Sequence, residues 1–133
     1  MAHELRLVVV TPETTVLDES VRSLRFPLYD GMIGILPGRL PLVGRLGYGE
    51  LTFQTDKGEQ QYYIDGGFSQ IKGGTVSLLT NRAIAADKIS VADAENQLQQ
   101  ARSVVAKNEL EAEQKERDQV RARRMIAVAR SRS

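Results

Sequence analysis

Hydrophobic and polar positions alternate over the first two thirds of the chain, and apolar positions recur every three or four residues over the last third. Leu5, Leu7 and Val9 share one face of Glu4–Val10, which predicts a half-buried strand closed by Thr11-Pro12. A short strand follows at Thr15–Asp18, and Val21–Phe26 puts Leu24 and Phe26 on one side before Pro27. Gly44 and Gly47-Tyr48-Gly49 predict bends, after which Leu51 and Phe53 alternate with polar partners up to the hairpin signal Asp56-Lys57-Gly58. The return run Gln60–Asp65 carries Tyr62 and Ile64 on one face and Tyr63 on the other. Gly66-Gly67 then predicts a bulge or a close backbone approach, Phe68–Ile71 continues, and Thr75–Thr80 returns after Gly73-Gly74. Strands at this spacing predict an antiparallel sandwich or a flattened barrel.

From Ser90 the period changes. Ser90 with Asp93 is an N-terminal capping signature, and Val91, Ala94, Leu98, Ala101 and Val105 form an apolar stripe that predicts a helix to about Ala106. Lys107-Asn108-Glu109 predicts a break, with Asn108 in the left-handed region and a second helix folding back antiparallel. That second helix is polar from Glu111 to Gln119, and Ala122, Met125, Ile126 and Ala129 supply an apolar stripe only near its end. The fold class is α+β: an antiparallel β-sandwich or flattened barrel over residues 1–86, then an antiparallel two-helix hairpin over 87–133.

Composition sharpens that boundary, because all 11 glycines, all 4 prolines, the 4 tyrosines and the 3 phenylalanines precede residue 87. With no cysteine and a single histidine, His3, a disulfide scaffold, a thiol nucleophile and a His/Cys metal site are all disfavoured. No catalytic arrangement is present: there is no phosphate-binding G-x-x-x-x-G-K-[ST] loop, and no histidine suitably placed to activate a serine. Chain charge is +1, which gives no general attraction to nucleic acid. Arg117, Arg121, Arg123, Arg124, Arg130 and Arg132 are opposed only by Asp118 near the C-terminus. A free-standing sandwich with a nucleic-acid-binding arm is the rival reading, weakened by the lack of aromatic residues interleaved with these arginines. No apolar stretch reaches the roughly 20 residues that a membrane helix needs, so no direct membrane insertion is expected.

The most informative stretch is Asp30-Gly31-Met32-Ile33-Gly34-Ile35-Leu36-Pro37-Gly38-Arg39-Leu40-Pro41-Leu42. Gly31, Gly34, Pro37, Gly38 and Pro41 predict a rigid turn-strand-turn, with Gly34 in a tight backbone position and Met32, Arg39 and Leu40 exposed as a contact surface. Together with Gly66-Gly67-Phe68, this pattern resembles the epsilon subunit of F-type ATP synthases over nearly the whole chain. The resemblance implies a sandwich of two sheets in a non-catalytic central-stalk subunit, peripheral to the cytoplasmic side of a bacterial inner membrane. It implies contact of Met32, Arg39 and Leu40 with the membrane rotor ring subunits. Gly66 and Gly67 suit contact with the gamma subunit. The family's helical tail can lodge against acidic beta subunits of the catalytic head and impede ATP hydrolysis, a role in which Arg121, Arg123 and Arg124 would serve. Relatives that bind ATP at the hairpin carry I-D-x-x-R-A, whereas this chain has Ile89-Ser90-Val91-Ala92-Asp93-Ala94, so no ATP site and no cofactor are expected.

Overall fold

The computed structural model describes residues 5–36 and 42–131. Eight strands form one connected sheet: β1 (Leu5–Val10), β2 (Thr15–Val21), β3 (Ser23–Leu28), β4 (Gly31–Ile35), β5 (Leu42–Thr55), β6 (Gly58–Lys72), β7 (Thr75–Leu79) and β8 (Ala83–Ala85). The order is β2-β1-β7-β6-β5-β3-β4, with β8 paired to β6 off that path. The sheet folds over on itself, since β2 at one edge packs against β5 and the Arg22 N–H donates to the Gln54 carbonyl at 2.9 Å. Between the two layers lies a core of Leu5, Leu7, Val9, Val21, Leu24, Phe26, Ile35, Leu51, Phe53, Ile64, Ile71 and Leu78, all nearly inaccessible. The predicted alternations of β1 and β3 point their apolar faces into it. One pairing departs from the antiparallel expectation: β1 runs parallel to β7, in register from Arg6↔Thr75 to Val10↔Leu79. Returning over a long excursion instead of a tight turn, β7 can approach β1 in either sense.

The bends expected at Gly44, Gly47 and Gly49 do not interrupt the strand. β5 and β6 pair antiparallel from Leu42↔Ile71 to Thr55↔Gly58, and the glycines act on side-chain facing instead. In β6 the core-facing positions change from Ile64 to Ser69 and Ile71, and in β5 from Leu51 and Phe53 to Leu46, without loss of cross-strand register. Gly66 and Gly67, at φ +72° and +109°, permit that change. β3 diverges at the same place: it spends three residues from Arg25 to Leu28 where β5 spends six from Thr52 to Leu46. Gly47 is obligatory there, because a Cβ would lie 2.7 Å from the Leu28 carbonyl oxygen.

The signature stretch begins as predicted with the turn Tyr29-Asp30 and the short strand β4, while Pro37, Gly38, Arg39, Leu40 and Pro41 lie outside the described residues. Gly31 has φ +148° in the hairpin register Leu28↔Gly31. Gly34 is not the tight position expected. Its backbone is outside the positive-φ region, and the nearest atom to an added Cβ would be Arg25 Cγ at 3.6 Å, ordinary contact.

After a 3-10 turn at Ala86–Lys88, α1 (Val91–Ser103) starts at Ser90, whose hydroxyl accepts from the Asp93 N–H at 3.2 Å as the sequence predicts. It ends three residues earlier than expected, at Ser103, where Val104 turns extended and its N–H donates to the Ala101 carbonyl at 3.4 Å. Val105, counted in the apolar stripe, is consequently 80% exposed. Asn108 also corrects the sequence reading. Among the described residues none other than glycine has positive φ, and the Asn108 side chain instead caps α2 (Glu109–Ser131), accepting from the Glu111 N–H at 2.9 Å while its amide donates to the Glu111 carboxylate.

Candidate functional site

The helical hairpin rests on the outer face of β6, on Tyr63. The alternation that sends Ile64 into the sandwich sends Tyr63 and Asp65 outward, and α2 covers both. A second apolar cluster joins Tyr63 and Ala86 to Ala94 of α1 and to Met125, Ile126 and Val128 of α2. The stripe of Ala122, Met125, Ile126 and Ala129 is buried as predicted, whereas α2 from Glu109 to Gln114 is exposed throughout. Arg130 and Glu95 reach across the two helices at 3.7 Å.

Asp65 is the polar centre of this seam. Its side chain is 1% exposed and accepts a two-point contact from Arg121, Nε to Oδ1 at 2.9 Å and Nη2 to Oδ2 at 2.5 Å. The Tyr63 hydroxyl donates to the same carboxylate at 3.1 Å, while the Asp65 N–H donates to Thr80 Oγ1 and its carbonyl accepts from the Asn81 amide. Arg121 also lies over the Tyr48 ring, 5.5 Å from its centre, and Arg124 donates to the Tyr48 carbonyl at 2.7 Å. Burial opposes the Arg121 charge, but hydrogen bonds and attraction from Asp65 outweigh it and hold the guanidinium above its ordinary value. Burial, then the charge and hydrogen bond of Asp65, keep the Tyr63 phenol protonated far above the usual tyrosine range.

The three arginines singled out in the sequence thus part company. Arg121 and Arg124 face the sandwich, and Arg123 faces away, bonded only to Gln119 of its own helix. Sequence reasoning missed Asp65; the signal available was a carboxylate closing the apolar run Tyr62-Tyr63-Ile64, where burial demands a cation. Met32 is 52% exposed and, with Tyr29, lines a cavity that is bordered on its other side by Arg124, Ala127, Val128 and Ser131 of α2. Arg39 and Leu40 lie outside the described residues.

The double glycine has an internal explanation. A Cβ on Gly67 would lie 1.8 Å from the Leu79 carbonyl oxygen and 2.9 Å from Thr80 Cα, so this position is where β6 passes against β7 and its exit. Next to it, Phe68 and Leu79 form an exposed apolar cross-strand pair, with Val43 exposed nearby on β5. Phe68 and Leu79, with Tyr29, Arg45 and Gly66, border an open groove of about 880 Å³. Among the described residues no group of three or more His, Cys, Asp or Glu could hold a metal, and no helix is long and apolar enough to cross a membrane.

Residues 4–86 match the sequence model of the ATP synthase delta/epsilon chain β-sandwich domain. The chain belongs to the ATP synthase epsilon chain family. It is 39% identical over 126 residues to the ATP synthase epsilon chain of Rhodopirellula baltica, a match spanning 95% of this chain and 98% of that one. It is 36% identical over 107 residues to the epsilon chain of Carboxydothermus hydrogenoformans, covering 80% of each. In structure it is similar to a chain of the Euglena gracilis mitochondrial ATP synthase, from an assembly of OSCP, F1 and c-ring, with TM-score 0.84 and 24% identity over 96% of this chain and 82% of that one. It also resembles a chain from the central stalk and c-ring of the Tetrahymena thermophila enzyme, with TM-score 0.73 and 10% identity over 94% and 96% of the two chains. Membership in the epsilon chain family covers sandwich and hairpin together, as the near full-length match to the Rhodopirellula chain requires.

Proposed function

We propose that this chain is the non-catalytic central-stalk subunit of a proton-translocating F-type ATP synthase, peripheral to the cytoplasmic side of a bacterial inner membrane. Its sandwich couples the gamma shaft to the membrane rotor ring, and its C-terminal helices restrain ATP hydrolysis by reaching the beta subunits of the catalytic head. The near full-length similarity to epsilon chains carries this reading. The rotor ring is met through Met32, Arg39 and Leu40, and gamma through the surface around Gly66, Gly67 and the exposed Phe68–Leu79 pair.

Support for a mobile tail comes from how little holds it. Met125, Ile126 and Val128 are the large apolar side chains that α2 buries, each worth about 1.5–3 kcal/mol at full burial. Against them stands the entropy of ordering a 23-residue helix whose first half touches little. A small balance of that kind permits a minor extended population that an acidic partner can capture. The Asp93 carboxylate at the start of α1 makes that helix end unfavourable to a nucleotide phosphate. The test is deletion of residues 90–133 in the assembled enzyme: assembly and ATP synthesis persist while ATP hydrolysis rises. Hydrolysis unchanged across salt, pH and nucleotide conditions would mean that the tail is no brake.

A further inference from the structure

We infer that Asp65 of β6 and Arg121 of α2 form a charge latch that fixes where the hairpin docks and makes its release an all-or-none step. The carboxylate is almost wholly enclosed and takes its cation from α2, and among the described residues no buried side-chain polar atom lacks a partner. A buried ion pair adds little net stability over an apolar contact, but a buried carboxylate that loses its cation is strongly disfavoured. Partial displacements of α2, by sliding or tilting, withdraw the planar guanidinium fork before Asp65, 1% exposed when docked, is opened to water. The permitted states are therefore two: docked with both hydrogen bonds made, or lifted far enough for Asp65 to be hydrated.

Arg124 acts in the same sense one turn further on. Its bond to the Tyr48 carbonyl and the position of Arg121 over the Tyr48 ring bracket one residue of β5, so lifting α2 frees both cations together. Asp118, 3.6 Å from Arg121 on the same helix, orients the guanidinium. Resting on the proposed brake only for its last step, the latch implies that the docked tail keeps engaged two of the three arginines best suited to an acidic partner. The partner must take them from Asp65 and Tyr48.

The test uses the full isolated chain and reads hydrogen exchange of α2 amides alongside those of β5 and β6. Asp65→Asn and Arg121→Gln should each speed exchange in α2 by about tenfold or more, equivalent to about 1.4 kcal/mol. The sandwich amides should keep their protection. The double variant should fall well short of the product of the two single effects. Arg117→Gln, which removes an exposed arginine bonded only to Gln114, should change nothing. Unaltered α2 exchange in both single variants, or equal loss of protection in β5 and β6, overturns the latch. A second arm adds the same variants to the enzyme. Faster α2 exchange with unchanged hydrolysis would uphold the latch and refute the brake, so the two ideas fail separately.

Discussion

Replacing Gly67 by alanine asks whether the double glycine is required by the fold itself. The added Cβ would sit 1.8 Å from the Leu79 carbonyl oxygen and 2.8 Å from its carbonyl carbon. Both are backbone atoms, so no side-chain rotation relieves the overlap. β6 and β7 must separate by more than about 1 Å to restore contact distance, which breaks the ladder around Phe68↔Leu79, at about 0.5–1.5 kcal/mol per hydrogen bond. Holding a non-glycine residue at φ +109° adds about 1–3 kcal/mol. With two ladder bonds lost, the sum is about 2–6 kcal/mol from a domain stability of about 5–15 kcal/mol. In urea, with a slope of about 1–3 kcal/mol/M, the unfolding midpoint followed by circular dichroism should fall by about 0.7 M or more. Gly34→Ala is the matched control, since its Cβ enters ordinary contact with a flexible side chain, and its midpoint should stay close to that of the parent. A Gly67→Ala midpoint within about 0.3 M of the parent, equivalent to less than about 1 kcal/mol at that slope, would refute the close approach. A substitution at Gly67 disturbs the fold itself, so the proposed gamma contact is better probed at the exposed neighbour Phe68.

Two further outcomes follow from the seam and the caps. Ser90→Ala removes the acceptor for the Asp93 N–H and should cost about 1 kcal/mol, seen as faster hydrogen exchange confined to the first turns of α1. Tyr63 makes the docked hairpin sensitive to alkali: its folded-state pKa is raised by burial and by Asp65, whereas an unfolded tyrosine titrates near about 10. Stability from this group is thus fully present below about pH 10 and is lost as pH rises above it, so the urea midpoint of the parent should fall faster above about pH 10 than that of Tyr63→Phe.

What the sequence revealed and what it hid divide along the range of the interactions. Strands β1 and β3, the Asp56-Lys57 turn and the Ser90 cap each depend on neighbours a few residues away, and their patterns say so. Gly47, Gly49, Gly66 and Gly67 were legible as special but not as a pair of coordinated changes of face. Their meaning depends on β3 pressing against β5 at Gly47 and on β7 pressing against β6 at Gly67, contacts between distant segments. Asn108 was legible as a boundary, but the same residue suits a helix end and a helix start. Glu111, three positions on, decides for the start. Asp65 and Arg121 were the least accessible, being 56 residues apart and each ordinary on its own element.

That division bears on how the tail can work. Alanines at 94, 101, 122 and 129 are buried at the helical seams, allowing close packing but burying little area each. The larger anchors, Met125, Ile126 and Val128, lie in the last turns of α2, next to the arginines that bind Asp65 and Tyr48. Apolar anchoring and charge pairing are therefore concentrated in one short segment, and the exposed first half of α2 adds almost nothing to the docked state. A partner that competes for that segment alone can free the whole helix. The polar stretch from Glu109 to Gln114, exposed throughout, then has little contact with the sandwich to give up. If the tail extends as proposed, the energetic decision between the docked and extended states rests on the second half of α2, around Arg121 and Met125.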